Sequence, residues 1–158
     1  MTKSLQCVLI LLCFTFSVST QAADVKTGEP QAKLVTAPLT ITTQDGATHQ
    51  FTVELAKTKK ERTIGLMHRE VLGDSEGMLF ITPYNARAAM WMKHTYIPLD
   101  MLFISEDGVI QHIHHQAKPH SLAIIQSPKP VNMTLEIAGG IAKKYAIQKG
   151  DKVTCPDC

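Results

Sequence analysis

The sequence predicts a small α+β domain of mainly antiparallel β structure. We expect its sheet to curl towards a barrel or sandwich, with one main flanking helix. Several short segments alternate apolar and polar residues and are separated by turn residues, which is typical of strands. One segment after Thr58 instead has apolar residues at helical intervals. The chain of 158 residues has a formal charge of +2, so there is no basic stripe for nucleic acid.

Residues 1–23 have the order of a secretory signal peptide. Lys3 is followed by the apolar run Leu5–Val18 and then by small and polar residues, with a cut expected after Ala22 or Ala23. An uncleaved anchor is the alternative, but a membrane span needs about 20 apolar residues. The sequence therefore predicts a periplasmic or secreted protein that contacts a membrane only through this segment, if it is uncleaved.

Asp24 to about Lys33 is polar and contains Gly28 and Pro30, so residues 24–38 are predicted to form a flexible lead-in to a single globular domain, residues 39–153. The domain opens with two alternating runs around Asp45-Gly46, a strong signal for a β-hairpin.

A helix from about Lys59 to His68 follows the hairpin. Thr58 and Glu61 have the spacing of a capping box, which satisfies free N–H groups at a helix start. Gly65 falls inside this helix, where glycine is unfavourable, and therefore predicts a close approach by another backbone.

Further strands and one short helix complete the predicted domain. Leu99–Ile104 is apolar on both faces, which indicates a central strand. The other predicted strands are residues 77–81, 88–92, 109–116, 121–127, 131–137 and 149–153, and a helix of about two turns is predicted over residues 141–147.

The tail, residues 154–158, contains Cys155 and Cys158, the two cysteines outside the signal segment. In an oxidising compartment such a pair predicts a local disulfide or a loose tail. Metal capture or redox chemistry is the alternative, although no helix can follow the first cysteine to lower its pKa.

The stretch from Met90 to Asp100 places charge beside large apolar groups. We expect it to form a hairpin that pairs Lys93 with Asp100, because an isolated charge in an apolar strand is costly. The pair either closes the hairpin or lies at the mouth of a pocket. The residues predicted to bind a ligand there are Arg62, Met67, Arg69, Trp91, Lys93 and Asp100.

A histidine cluster suggests a second kind of site. His112 and His114 would share one face of a strand, with His115 opposite and His120 returning from a turn. Imidazoles at this spacing can bind a divalent transition metal or copper, whereas exposed histidines on a strand are the simpler interpretation. The methionines outside the signal lie in apolar runs, which favours core packing over copper binding.

Five ordered motifs resemble one known family, the domain of unknown function 192 family (uncharacterised protein family 0127). They are RxxGLMxR from Arg62, GMLF from Gly77, WMKxTxIPLD from Trp91, LEIxxG from Leu135 and GDxV from Gly150. The resemblance implies a small, mainly β domain that is often exported or membrane-attached, and it implies no established activity. This chain departs from the family pattern at Met90 and His94.

The sequence favours an exported, non-enzymatic domain that binds a small molecule or an envelope protein, with no cofactor identified. One alternative is a periplasmic metal-handling protein that uses the histidines from His112 to His120. A second alternative is a hydrolase-like enzyme with Asp100 in its site as general base.

Overall fold

The computed structural model describes residues 28–158, so the predicted signal segment, residues 1–23, lies outside the described residues. No helix within the described range is long and apolar enough to cross a membrane. The strands are β1 (Thr36–Thr42), β2 (Thr48–Ala56), β3 (Glu76–Ala86), β4 (Ala89–Met90), β5 (Leu99–Ile104), β6 (Ile110–Ala117), β7 (Ile125–Gln126), β8 (Val131–Ala138) and β9 (Lys152–Thr154). The helices are α1 (Lys59–Ile64) and α2 (Ile141–Lys144).

Seven strands form one curled sheet in the order β6-β5-β8-β3-β2-β1-β9, and β4 and β7 form a separate two-stranded ribbon. Strands β2 and β3 are parallel because α1 connects them, and the other pairings in the large sheet are antiparallel. A bridge between Val109 and Lys152 brings the two edges together at one end, which makes a half-barrel. The β-rich prediction is confirmed. One main flanking helix is not supported, since α1 has six residues and α2 has four.

The N-terminal hairpin forms as predicted, with β1 and β2 paired from Thr36 opposite Glu54 to Thr42 opposite Thr48. Strand β1 begins at Thr36, within the segment predicted as a lead-in. The Gln31 side chain is also buried, and its Nε2 donates a hydrogen bond to the Gly65 carbonyl at 2.9 Å. The segment before the hairpin is therefore attached to the domain at this point.

Helix α1 begins with the predicted capping box. The Glu61 N–H donates to Thr58 Oγ1 at 3.2 Å, and the Thr58 N–H donates to Glu61 Oε2 at 2.8 Å. The helix ends at Ile64, so the prediction that it continues to His68 is wrong. Gly65 ends it with a φ of 52°, and a Cβ there would lie 3.0 Å from the Phe80 ring. The close approach is made by an aromatic side chain rather than by a backbone.

The predicted hairpin between Met90 and Asp100 does not form, and the pairing of Lys93 with Asp100 is wrong. Strand β4 pairs with β7, whereas β5 lies between β6 and β8. The reason is that β5 is buried at every position, so it needs a long neighbour on each side. The residues before it turn instead, with the Thr95 N–H donating to the Met92 carbonyl at 3.1 Å.

Alternate residues of the central strands supply two separate cores. Leu102 and Leu135 belong to the inner core, inside the curve of the sheet. Met78 and Met101 belong to the outer core, on the opposite face, which the segments after α1 and around β4 and β7 cover. The candidate site described below lies on this outer face.

The C-terminal segment packs against the inner core. Helix α2 is shorter than the two turns predicted, and β9 follows as expected. Cys155 and Cys158 form a disulfide with a Cα–Cα distance of 5.4 Å, and both side chains pack against the inner core. Lys57 Nζ donates to the Cys158 carbonyl at 2.9 Å. The tail is thus anchored rather than loose.

Candidate functional site

A cleft of about 540 Å³ opens on the outer face of the sheet, beside α1 and the end of β3. This volume lies within the range of about 300 to 1,000 Å³ that is typical of small-molecule sites. It is lined by residues of α1, β3, the β4 segment and β8: Lys59, Arg62, Thr63, Phe80, Thr82, Tyr84, Ala86, Arg87, Ala88, Ala89, Met90, Trp91, Val131, Asn132, Met133 and Thr134.

The cleft is positively charged. Lys59, Arg62 and Arg87 line it, and no Asp or Glu does among the described residues. None of these cations forms an ion pair with another residue in the range 28–158. Arg62 Nη1 donates to the Ile81 carbonyl at 3.0 Å and also to the Lys57 carbonyl. Backbone acceptors therefore orient one guanidinium, while no carboxylate of the described chain neutralises the cleft.

One wall of the cleft is aromatic and apolar. It includes Phe80, Tyr84 and Trp91, and the Trp91 side chain is 41% exposed. Lys93 lies beside this wall, with its Nζ 5.4 Å from the centre of the Trp91 ring, a distance at which a cation–π attraction holds. The cleft thus combines cations with apolar surface.

A recess of about 20 Å³ continues from the cleft towards the sheet. By volume it has room for one water molecule. It is also lined by Met67, Thr95 and Glu136. Recess and cleft share five lining residues, which are Arg62, Thr63, Phe80, Met90 and Trp91.

Glu136 is the acidic residue of the recess. It lies on β8 between Met78 of β3 and Met101 of β5, and it is 3% exposed. No ion pair engages its carboxyl group within residues 28–158. Burial among apolar side chains raises the pKa of Glu136 to about 8. The carboxyl group is therefore mainly protonated at neutral pH and can donate a hydrogen bond.

The structure brings together three of the six residues predicted to bind a ligand. Arg62, Met67 and Trp91 line the recess, and Lys93 lies beside Trp91. Arg69 lies elsewhere: its Nη2 is 3.0 Å from Glu54 Oε2, and both side chains are largely buried. Arg69 therefore holds β2 to the segment that follows α1.

Asp100 also lies away from the cleft and is fully buried. Its carboxylate accepts hydrogen bonds from the N–H groups of Gln116 at 2.8 Å, Gly140 at 2.9 Å and Ala142 at 2.9 Å. Two of these groups belong to the start of α2, where free N–H groups need an acceptor. Asp100 lines neither the cleft nor the recess. Its contacts are those of a structural cap.

The four predicted metal-binding histidines lie along β6 and in the turn after it. His112 stacks on Phe103, with ring centres 6.0 Å apart, and His120 packs against Tyr96 at 5.4 Å. Burial, followed by the neighbouring His112 and His115, lowers the pKa of His114. Across residues 28–158, no group of three or more His, Cys, Asp or Glu side chains could hold a metal ion.

Glu136 is the functional candidate that the sequence analysis missed. It lies in the run Leu135–Ile137, an acid between apolar neighbours in a predicted strand. The cost of an isolated charge in such a place, which pointed to Asp100, applies equally to Glu136. Lys59 is the first residue of α1 and Arg87 lies between β3 and β4; both are exposed and carry no comparable signal.

Comparison with known proteins adds two solved structures and one family. A crystal structure from Sinorhizobium meliloti 1021, named a "putative transcription regulator", is 42% identical with a TM-score of 0.77, covering 79% of this chain and 97% of that one. A protein of unknown function from Novosphingobium aromaticivorans DSM 12444 is 38% identical with a TM-score of 0.75, covering 84% and 94%. No curated protein matches. The family model of DUF192, described as "Uncharacterized ACR", matches residues 40–155, and the chain belongs to this family.

Proposed function

We propose that this protein is an exported, non-catalytic binding domain whose cleft takes a small organic anion with an apolar part. The observation that carries the proposal is the charge of the cleft, which Lys59, Arg62 and Arg87 line without any carboxylate from residues 28–158. Export is proposed from residues 1–23, which have the order of a secretory signal. The ligand is then a molecule of the periplasm or of the medium.

Arg62 supplies the most ordered anion contact. Its guanidinium is oriented by the Ile81 and Lys57 carbonyls, so little side-chain entropy is lost when a ligand binds. Arginine also matches a carboxylate or phosphate in a paired geometry that lysine cannot make. Lys59 and Arg87 add attraction at the exposed rim, which mainly raises the association rate.

The aromatic wall supports a ligand with an apolar part. Phe80 and Trp91 offer ring surface directly beside the cations, and burying such surface contributes to affinity. The concave shape favours a small molecule over a protein partner, because protein interfaces are broader and flatter. An envelope protein that inserts one acidic side chain is the second occupant consistent with this charge.

The name of the Sinorhizobium protein suggests transcriptional regulation, which we do not extend to this chain. The two described helices have six and four residues, shorter than the recognition helices that enter a major groove. The metal-handling and hydrolase alternatives also lack a supporting geometry in the described residues. The proposal therefore rests on the cleft.

Calorimetric titration with short-chain carboxylates and sugar phosphates tests the proposal. We expect one class to bind, and we expect the double variant Lys59→Gln/Arg87→Gln to bind it about tenfold more weakly. The double variant Lys118→Gln/Lys149→Gln removes the same charge from exposed positions that do not line the cleft, and should bind normally. Equal weakening in both variants, or no binding by the unmodified protein, would contradict the proposal.

A further inference from the structure

We propose that the recess is the selective end of the ligand site, where Glu136 donates a hydrogen bond to an uncharged oxygen of the bound anion. The inference rests on the binding function proposed above and names the ligand class. The ligand is a short organic acid that carries a keto oxygen at its apolar end, that is, a keto acid.

The Glu136 carboxyl group faces the recess without an ion pair or a hydrogen-bond donor from residues 28–158. Its side chain is 3% exposed, lines the recess and has no ion pair within residues 28–158. Buried polar groups almost always have a hydrogen-bond partner, and one without a partner destabilises the fold. The strand itself does not require an acid here, since the neighbouring positions on this face, Met78 and Met101, are apolar. The partner of Glu136 is therefore a water molecule or a ligand.

The recess is small and opens from the cleft. At about 20 Å³ it has room for one water molecule, so a single oxygen atom of a ligand fits where a larger group does not. Its walls of Phe80, Met90 and Trp91 are also walls of the cleft. A ligand held at the cationic rim can thus extend along apolar surface and replace that water molecule.

The residues around Glu136 favour its uncharged form. Arg62 is the one other charged residue among the described residues that line the recess, and it forms no ion pair with Glu136. The neighbours from β3 and β5 are methionines, and the segment after β4 contributes Trp91 and Thr95. In these surroundings the carboxyl group is uncharged and serves as a donor. A ligand ammonium group would need the ionised carboxylate and would be repelled by the cleft.

Three acids of similar length test the inference: valerate, levulinate with a keto oxygen, and δ-aminovalerate with a terminal ammonium. Titrations are run at about pH 6, below the pKa of Glu136. We expect levulinate to bind at least about tenfold more tightly than valerate, because the methyl end of valerate displaces the water molecule of the recess without accepting the hydrogen bond of Glu136. We expect δ-aminovalerate to bind most weakly.

Substitution of Glu136 separates hydrogen bonding from shape. In Glu136→Leu the preference for levulinate should disappear while valerate keeps its affinity, and in Glu136→Gln, which retains a donor, the preference should remain. Both variants remove a buried ionisable group whose charged form burial disfavours, so folding is expected, and thermal unfolding checks it. A preference that survives in Glu136→Leu, or a wild-type preference for δ-aminovalerate, would overturn the inference.

The outcomes also separate this inference from the proposed function. Equal binding of valerate and levulinate would overturn the role of Glu136 and leave an anion-binding cleft. Absence of binding by any anion of the wider panel would overturn the proposed function, and this inference with it.

Discussion

Asp100 and Glu136 are both buried acids on neighbouring strands, but backbone N–H groups surround the first and apolar side chains surround the second. Asp100 of β5 is opposite Ile137, and Glu136 of β8 is opposite Met101. This offset of one residue places the two side chains on opposite faces of the sheet. Asp100 faces the N–H groups at the start of α2, whereas Glu136 faces the recess.

Burial of an acid therefore does not by itself indicate a function. Three N–H donors converge on Asp100, so its charge is satisfied within the fold. Burial raises the pKa of Glu136, and within residues 28–158 no hydrogen bond or nearby charge adds to this effect. A buried acid without donors, next to a cavity, is the better candidate for a ligand contact.

The largest effect is expected at Asp100. The substitution Asp100→Ala leaves three N–H groups without an acceptor, and each such group costs about 1 to 3 kcal/mol. We expect the free energy of unfolding to fall by roughly 5 kcal/mol, measured by urea denaturation. Asp157→Ala, at an exposed position in the tail, is the control and should leave the unfolding midpoint unchanged. A loss at Asp100 no larger than that of the control would remove the contrast between the two acids.

Glu136→Gln is expected to act in the opposite direction. The pKa of Glu136 is about 8 in the folded protein and near its ordinary value of 4.5 in the unfolded chain. The unfolded chain therefore binds fewer protons between these values, and wild-type stability falls as pH rises, by up to about 1.4 kcal/mol per pH unit. The variant lacks this titration, so its advantage should grow from about pH 4.5 to about pH 8 and then level off.

Urea denaturation of both proteins across this pH range measures the effect of Glu136→Gln. A constant difference between wild type and variant would show that the carboxyl group does not titrate differently on folding.

Glu54 is a third buried acid, and its carboxylate is paired with a cation, Arg69. Arg69→Met removes the partner that lies 3.0 Å from Glu54 Oε2 and leaves the carboxylate with the Leu34 N–H. Loss of one member of a buried pair costs about 3 kcal/mol, which urea denaturation would detect. Adding Glu54→Gln should recover part of this loss. No recovery in the double variant would mean that Arg69 acts through packing alone.

The smallest effect is expected at Gly65, which supports the wall of the recess. Gly65→Ala introduces a side chain at a φ of 52° and a Cβ that would lie 3.0 Å from the Phe80 ring. We expect a loss of about 1 to 2 kcal/mol in thermal unfolding, together with weaker anion binding as Phe80 shifts. Gly46→Ala has a similarly positive φ and open space around it, so it should lose stability but bind normally.

Features that depend on residues close together in the sequence can be predicted from it. The hairpin around Asp45 and the capping box at Thr58 are local interactions, and both occur in the structure. The central position of β5 also followed from its apolar residues on both faces. The end of α1 was predicted too late, because Gly65 leaves the helical conformation where Phe80 packs against it.

The candidate site was predicted only in part. Arg62, Met67 and Trp91 belong to segments in which charged residues lie next to large apolar residues, and this pattern is visible in the sequence. Their side chains meet at the recess. Arg69 and Asp100 also lie in segments that combine charged and large apolar residues. Arg69 instead pairs with Glu54, and Asp100 accepts hydrogen bonds from backbone N–H groups such as that of Gln116. Sequence spacing does not distinguish these cases, since the partners are many residues away.

The β-rich domain, its first hairpin, the start of α1 and the DUF192 family all follow from the sequence. Periodicity and capping depend on residues close together in the chain, so the sequence is enough to predict them. The contacts of Asp100 with backbone donors and of Glu136 with a cavity depend on the three-dimensional fold. These contacts depend on the register of β5 against β8, where a shift of one residue exchanges the two faces of a strand.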